Sequence, residues 1–175
     1  LGKSPVVTTD DGLTLAESGA IIETVIERYG NGRLAPAAGS LEAVRYRYWL
    51  HFAEGTAMSP LLMKLIFDRI ETSRMPFFAR PVAKAIAAKT KSAFIHPNIA
   101  NHLNYMEAEL GKSEWFAGDA FTGADIQMSF VVEAAQARGG LDAKRPKLMA
   151  YLERIHSRPA YKRALERGGP YELLS

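Results

Sequence analysis

The segment Trp115-Phe116-Ala117-Gly118-Asp119-Ala120-Phe121-Thr122-Gly123-Ala124-Asp125-Ile126 carries a complete signal for the start of a helix. Thr122 is a residue type that caps helices, and Asp125, three residues later, can accept the backbone N–H of the cap in a capping box. Phe121 precedes the cap at the position of a hydrophobic staple. We therefore expect a helix to begin after Thr122, and we expect Asp125 to be buried and to serve folding, not catalysis.

After this start signal the sequence continues as helix. Four apolar residues recur at helical spacing, and we expect them to form the inner face of the first helix: Ile126, Phe130, Val131 and Ala134. Shorter helices are expected at about residues 146–156 and 159–166, and the second of these opens with a proline suited to a first turn. The C-terminal third of the chain is therefore predicted to be helical.

Between Ser40 and the start signal the sequence also shows no convincing strand. A helix is expected over residues 41–70, broken or bent near Ser59-Pro60, and a second helical region over residues 77–110. Pro97 should split or kink the second region, because proline lacks the backbone N–H and clashes with the preceding turn. The later half of this region carries apolar residues at helical spacing, which are Ile99, Leu103, Met106 and Leu110.

The first 39 residues have a different pattern. Val6-Val7-Thr8 and Leu13-Thr14-Leu15 are short β-prone runs on either side of an Asp-Gly hairpin signal. An amphipathic helix follows, ends at Gly30-Asn31-Gly32, and leads into a linker that extends to Gly39. A two-stranded hairpin is too small to be stable alone, so we expect additional strands from residues that precede Leu1 or from a partner chain.

The composition excludes several classes of protein. The 175 residues are 47% hydrophobic and 23% charged with a net charge of +3, which is ordinary for a globular protein and weak support for a nucleic-acid partner. No cysteine is present, so disulfides, thiolate metal sites and a cysteine nucleophile are excluded within these residues. No apolar run approaches the length of a membrane span. We expect a soluble, cytoplasmic protein with neither a membrane nor a nucleic acid as its partner.

The sequence shows no pattern that predicts a metal site. The four histidines lack the paired spacing of zinc ligands, and the Asp10-Asp11-Gly12 turn lacks the other ligands of a calcium loop. A basic stretch is interpreted as a solvated helix face; its residues are Arg80, Lys84, Lys89 and Lys91.

Candidate ligand-binding residues lie in the hairpin region. Pro5, which begins the first strand, is either an ordinary edge residue or part of a cis Ser4–Pro5 bond that would turn the Ser4 backbone toward a peptide ligand. Ser18 is a good N-cap, which is most simply structural, yet a helix N-terminus with a hydroxyl is also a carboxylate site. Glu17 beside it can pair with an ammonium group. Together these two residues suit the head group of an α-amino acid.

These residues resemble the second half of the thioredoxin-like domain of glutathione transferases, and the match includes Leu15-Ala16-Glu17-Ser18-Gly19-Ala20-Ile21. The segment from Trp115 to Ile126 is similar to a W-x-A-G-x-x-x-T-x-A-D-I pattern of the same family. The resemblance implies a mainly α protein, in which a partial thioredoxin-like hairpin and helix (residues 1–30) and a linker (31–39) precede an all-α domain (40–175). It implies that the chain lacks the first half of the thioredoxin-like domain.

The resemblance also assigns residues to glutathione as co-substrate, with no metal. Ser4 would pair through its backbone with the cysteinyl part, beside a cis Pro5. Glu17 and Ser18 would hold the γ-glutamyl group, and Lys3 would meet the glycyl carboxylate.

The helix that includes Tyr46–Met58 is expected to form the floor of the acceptor pocket and part of a homodimer interface. His51, Phe52 and Met58 are its candidate pocket residues, although methionine cannot act as the His or Tyr found at that place in some classes. The alternatives are plain helix surface for His51 and a core position for the aromatic residues.

The function implied by the resemblance is transfer of glutathione to a small hydrophobic electrophile, or reduction of a peroxide with glutathione. The residue that activates the thiol is expected in the strand that would precede this sequence, so no catalytic residue is assigned. The alternatives are a non-catalytic interaction module and a chain that is inactive as it stands.

Overall fold

The computed structural model describes residues 5–169 and is mainly helical with one small sheet. The hairpin comprises β1 (Val6–Thr8) and β2 (Thr14–Ala16), and α1 (Ser18–Tyr29) follows it. The helical domain contains α2 (Leu41–His51), α3 (Met58–Thr72), α4 (Arg80–Thr90), α5 (His96–Glu109), α6 (Gly123–Ala134), α7 (Pro146–Ser157) and α8 (Pro159–Gly168). The fold class expected from the sequence is therefore confirmed. No helix among residues 5–169 is long and apolar enough to cross a membrane.

The hairpin has the antiparallel pairing that the Asp-Gly turn predicted, although its second strand begins one residue later than expected. Val7 pairs with Leu15, and this register places Pro5 and Glu17 at the same open end of the hairpin. Asp11 in the turn accepts a hydrogen bond from Arg28 of α1 at 2.9 Å. The turn is therefore tied to the helix that carries the candidate binding residues.

The two long helical regions are interrupted near the prolines, as predicted, and each interruption is a π-helical turn. Residues Phe52–Ala57 join α2 to α3, and residues Lys91–Ile95 join α4 to α5. The turns end shortly before Pro60 and Pro97. Because proline clashes with the carbonyl one turn earlier, a wider turn at that place lets the helix continue through it.

The core lies between α2, α5, α6 and α7. The four apolar residues of the α5 region that showed helical spacing are all buried, as are Trp49 and Tyr151. The predicted inner face of α6 is partly wrong, because Ile126 and Phe130 are 39% and 42% exposed. The residues that α6 buries include Ala124, Asp125, Met128, Val131, Val132 and Ala134. Two of the four predicted residues, Val131 and Ala134, are thus in the core, and Ile126 and Phe130 are on a partly exposed face of α6.

Helix α1 approaches the first turn of α6 at Gly123. A Cβ atom at this position would lie 2.5 Å from Cδ1 of Ile26 and 2.9 Å from Cγ2 of Ile22. The Gly123 N–H also donates to the carbonyl of Leu34 in the linker at 2.8 Å. The absence of a side chain at Gly123 therefore allows the hairpin region to pack on the helical domain.

We expect Gly123→Ala to lower the free energy of unfolding by about 1–3 kcal/mol, because the added methyl group overpacks this contact. Thermal denaturation followed by circular dichroism measures the change. Gly55→Ala is the matched control, since a Cβ there meets nothing within 4 Å and alanine stabilises an exposed helical position by up to about 1 kcal/mol. Equal midpoints for the two variants would contradict the close approach.

Candidate functional site

The start of α1 has an unusual backbone. Glu17 is the N-cap residue with φ of 82° and ψ of 112°, and a positive φ is rare outside glycine and is concentrated at functional sites. Its carbonyl accepts the first helical hydrogen bond, from the N–H of Ile21 at 3.0 Å. The amides of Ser18, Gly19 and Ala20 therefore precede that bond and face the end of the helix, where they can bind an anion.

Ser18 is not the N-cap that the sequence predicted but the first residue of α1. Its hydroxyl does not cap its own helix, because it donates to Oε1 of Glu54 at 2.6 Å. The N-cap residue is Glu17 instead, and its backbone turns the chain into the helix. The side chain of Ser18 is thus hydrogen-bonded to a residue of the helical domain that lies 36 residues further along the chain.

Gln127 completes a polar cluster with Ser18 and Glu54. Its Nε2 donates to Oε1 of Glu54 at 2.5 Å and to the hydroxyl of Ser18 at 3.2 Å. Gln127 is a buried residue of α6, whereas Glu54 belongs to the π-helical turn after α2 and is exposed. Three separate elements therefore meet at the N-terminus of α1. We call Ser18, Glu54 and Gln127 the α1 cluster.

Glu54 and Gln127 were not predicted as site residues from the sequence. The signal for Gln127 was a polar side chain between the apolar residues Ile126 and Met128 of α6. Glu54 stands one turn after His51 in the helix that was already considered a pocket floor. Neither signal indicates which residue is contacted, because Ser18, Glu54 and Gln127 lie far apart in the sequence.

The N-terminus of α1 and the surrounding side chains can bind a ligand that carries an ammonium group and a carboxylate. The Glu54 carboxylate lies beside the Ser18 hydroxyl, and the exposed Glu17, which directly precedes Ser18, supplies a second carboxylate next to the free amides of the first turn. An ammonium group can pair with a carboxylate while a carboxylate of the same ligand accepts from the amides at the positive end of the helix. The geometry thus suits an α-amino acid head group.

The other predicted glutathione-contacting residues lie at the same end of the hairpin or outside the described part. Pro5 is exposed at the beginning of β1, and the strand register places it near Glu17. Lys3 and Ser4 lie outside the described residues, so their assignments stay predictions.

The three predicted pocket residues occupy different environments. His51 is exposed at the end of α2, and Met58 packs against the core at the start of α3. Phe52 is buried among aromatic rings, with its centroid 5.0 Å from that of Trp49 and 5.6 Å from that of Tyr105. Phe52 is thus buried in the core, the position that was its alternative, and the pocket assignment of His51, Phe52 and Met58 stays a prediction.

The predicted capping box positions α6 and, with it, Gln127. Asp125 is fully buried; its Oδ1 accepts the Phe116 N–H at 3.0 Å, and its Oδ2 accepts the Thr122 N–H at 2.9 Å and the Thr122 hydroxyl at 3.1 Å. Burial raises the pKa of Asp125 to about 6, against the effect of these donors. The predicted burial of Asp125 is confirmed. Within residues 5–169 no group of three side chains is arranged to hold a metal ion.

Comparison with known proteins gives a consistent result. The family model of the glutathione S-transferase C-terminal domain matches residues 70–159. Glutathione S-transferase 3 of Schizosaccharomyces pombe is 33% identical over 168 residues, which are 95% of this chain and 68% of that protein. Glutathione S-transferase GstB of Escherichia coli K12 is 29% identical, over 94% of this chain and 74% of its own length.

Solved structures agree with these relatives. A sphingomonad glutathione S-transferase complexed with glutathione superposes with a TM-score of 0.72 and 30% identity, covering 97% of this chain and 76% of that one. A glutathione S-transferase from Actinobacillus pleuropneumoniae has the same TM-score and 26% identity, covering 99% and 75%.

Proposed function

Because the chain belongs to the glutathione S-transferase family, we propose that the start of α1 binds the γ-glutamyl end of glutathione. The observation that carries the proposal is the α1 cluster beside Glu17, whose positive φ turns the chain at the tip of the helix. The hydrogen bonds of Ser18 with Glu54 and Gln127 support the assignment that the resemblance gives to Glu17 and Ser18. The relative from a sphingomonad was solved with glutathione bound.

In the proposed complex each half of the amino-acid head group has its own partners. The α-carboxylate accepts from the amides of Ser18 and Gly19, and the Ser18 hydroxyl can rotate to donate to it. The ammonium group binds between Glu17 and Glu54. Gln127 donates to Glu54 and thereby holds the Glu54 carboxylate toward the ligand.

The proposed reaction uses the thiol of glutathione as the nucleophile. Lowering the thiol pKa yields a thiolate that attacks a small hydrophobic electrophile or a peroxide, and a hydrogen-bond donor near the sulfur stabilises that charge. We assign this donor to none of the described residues. We propose further that the enzyme is a cytoplasmic homodimer, that Ser4 and Lys3 contact the remainder of glutathione, and that His51 and Met58 face the acceptor side.

Calorimetric titration with fragments of glutathione tests the binding proposal. We expect glutathione and γ-glutamylcysteine to bind, and we expect cysteinylglycine to bind at least about tenfold more weakly, because it lacks the head group and the charge-assisted hydrogen bonds that group makes. Equal affinity for cysteinylglycine and glutathione would contradict the assignment to α1.

Turnover is tested separately with a chlorinated aromatic compound and a hydroperoxide. Glutathione-dependent consumption of either substrate supports the transferase proposal. Binding of glutathione without turnover of either one would favour the non-catalytic interaction module.

A further inference from the structure

The connection between α3 and α4 carries the two aromatic side chains that are most exposed among residues 5–169. Phe77 is 87% exposed and Phe78 is 70% exposed, and the two rings meet edge to face with 5.7 Å between their centroids. Val82 and Ile86, one turn apart on α4, are also exposed large apolar residues. We call Phe77, Phe78, Val82 and Ile86 the hairpin patch.

The charge around the hairpin patch has one sign. The sequence from Ser73 to Met106 contains five of the 22 Lys and Arg residues and none of the 19 Asp and Glu residues. The rest of the chain therefore carries 17 cationic and 19 anionic side chains. The positive net charge of the protein is thus due to the segment that carries the exposed phenylalanines.

Most of this charge is available to a partner. Lys91 is used internally, because it pairs with Asp68 at 2.8 Å and with Glu71 at 2.7 Å on α3. The other four cationic residues of the segment make no ion pair within the described part of the chain; they are Arg74, Arg80, Lys84 and Lys89. All four are exposed, whereas the Lys91 side chain is 13% exposed.

We propose that the hairpin patch is a peripheral docking surface for a bilayer that contains anionic lipid. Aromatic side chains at an exposed tip can enter the boundary between headgroups and acyl chains, while flanking Lys and Arg side chains remain at the level of the lipid phosphates. Each cation near such a surface contributes an attraction that depends on anionic lipid. The sequence predicted a solvated helix face here and no membrane partner, and the exposed aromatic tip changes that interpretation.

The charge argues against a second copy of this chain as the occupant. A two-fold contact through the hairpin patch would bring two sets of unpaired cations together. Nucleic acid fits less well, because bases stack on flat aromatic faces, whereas Phe77 and Phe78 stand edge to face and their neighbours Val82 and Ile86 are aliphatic.

Flotation of the protein with vesicles tests the proposal. We expect binding to phosphatidylcholine vesicles that contain about 30% phosphatidylserine, weaker binding to pure phosphatidylcholine, and loss of the difference at high salt. The triple variant Arg74→Gln/Arg80→Gln/Lys84→Gln should bind the anionic vesicles about 100-fold more weakly, at about fivefold for each cation. The double variant Phe77→Ser/Phe78→Ser should bind at least about tenfold more weakly.

Matched controls distinguish binding through the hairpin patch from binding that depends only on the net charge or on any exposed apolar side chain. Lys162→Gln/Arg163→Gln/Arg167→Gln removes the same charge from α8, and Leu165→Ser removes an exposed apolar side chain there; both should bind vesicles as the parent does. No binding to either vesicle, or equal losses in the controls, would overturn the proposal. Displacement of the vesicles by an oligonucleotide would also overturn the proposal, because the partner would then be a nucleic acid. The proposal would fail as well if the parent bound no vesicles and the double phenylalanine variant had a different oligomeric mass, because the partner would then be a second copy of the chain.

Discussion

Replacing Asp125 with alanine is expected to lower the free energy of unfolding by about 3–5 kcal/mol, which is a large part of the about 5–15 kcal/mol that stabilises a typical native protein. The reason is the number of donors that lose their acceptor. The amides of Phe116 and Thr122 and the Thr122 hydroxyl all donate to this one buried carboxylate, and each buried donor left unsatisfied costs about 1–3 kcal/mol.

Urea denaturation followed by tryptophan fluorescence measures this loss well. The chain has two tryptophans, and both Trp49 and Trp115 are buried in the core next to the capping segment. Asp119→Ala is the matched control, because Asp119 is an exposed aspartate in the same loop and should change stability by less than about 0.5 kcal/mol. An Asp125→Ala variant as stable as the control would show that the loop holds its shape without the carboxylate.

The effect of Asp125→Ala should also depend on pH. Burial raises the pKa of Asp125 from 3.8 to about 6. The native state therefore binds the carboxyl proton of Asp125 more tightly than the unfolded state does. The contribution of Asp125 to stability is therefore highest below about pH 4 and falls as the pH rises to about 6. The difference in unfolding free energy between the parent and Asp125→Ala should accordingly be smaller at neutral pH than at the acid limit, as paired urea titrations would show.

The sequence predicted those parts of the fold that depend on neighbouring residues. The capping box, the Asp-Gly hairpin and the interruptions of the helices before Pro60 and Pro97 follow from chemistry within a few residues, and the structure confirms them. The inner face of α6 was assigned from apolar residues that recur at helical spacing. It was partly wrong because the helix buries Gln127 and Glu133 while Ile126 and Phe130 are exposed, and the partners of the two buried polar residues, Glu54 and Tyr161, lie in other parts of the chain.

The same distinction applies to the candidate site. Glu17 and Ser18 are adjacent, so their joint chemistry was visible in the sequence. The side chains that orient Ser18 are 36 and 109 residues away, and no local pattern connects them. The cap position also shifted from Ser18 to Glu17, because the contact with Glu54 draws the serine hydroxyl away from its own helix.

Replacing Glu54 with glutamine is expected to weaken glutathione binding by about ten- to a hundredfold, if its carboxylate receives the ligand's ammonium group as we propose. A charged hydrogen bond of this kind contributes about 1.5–3 kcal/mol, and tenfold in affinity corresponds to about 1.4 kcal/mol. The substitution keeps the shape of the side chain, and its amide oxygen can still accept from Ser18 and Gln127. We therefore expect the thermal midpoint of unfolding to change little.

A ligand without the ammonium group separates a direct contact from a structural effect. Glutathione in which the γ-glutamyl residue is replaced by glutaryl keeps the peptide chain but offers no ammonium to Glu54. The parent should bind this analogue more weakly than glutathione, and Glu54→Gln should bind it as well as the parent does, because the charge that the variant lacks has no partner on the ligand. Glu153→Gln, at an exposed position of α7, is the control and should leave both affinities unchanged. If Glu54→Gln weakened the two ligands equally, Glu54 would act by holding Ser18 and α1 in place, and the ammonium site would have to be assigned to Glu17 alone.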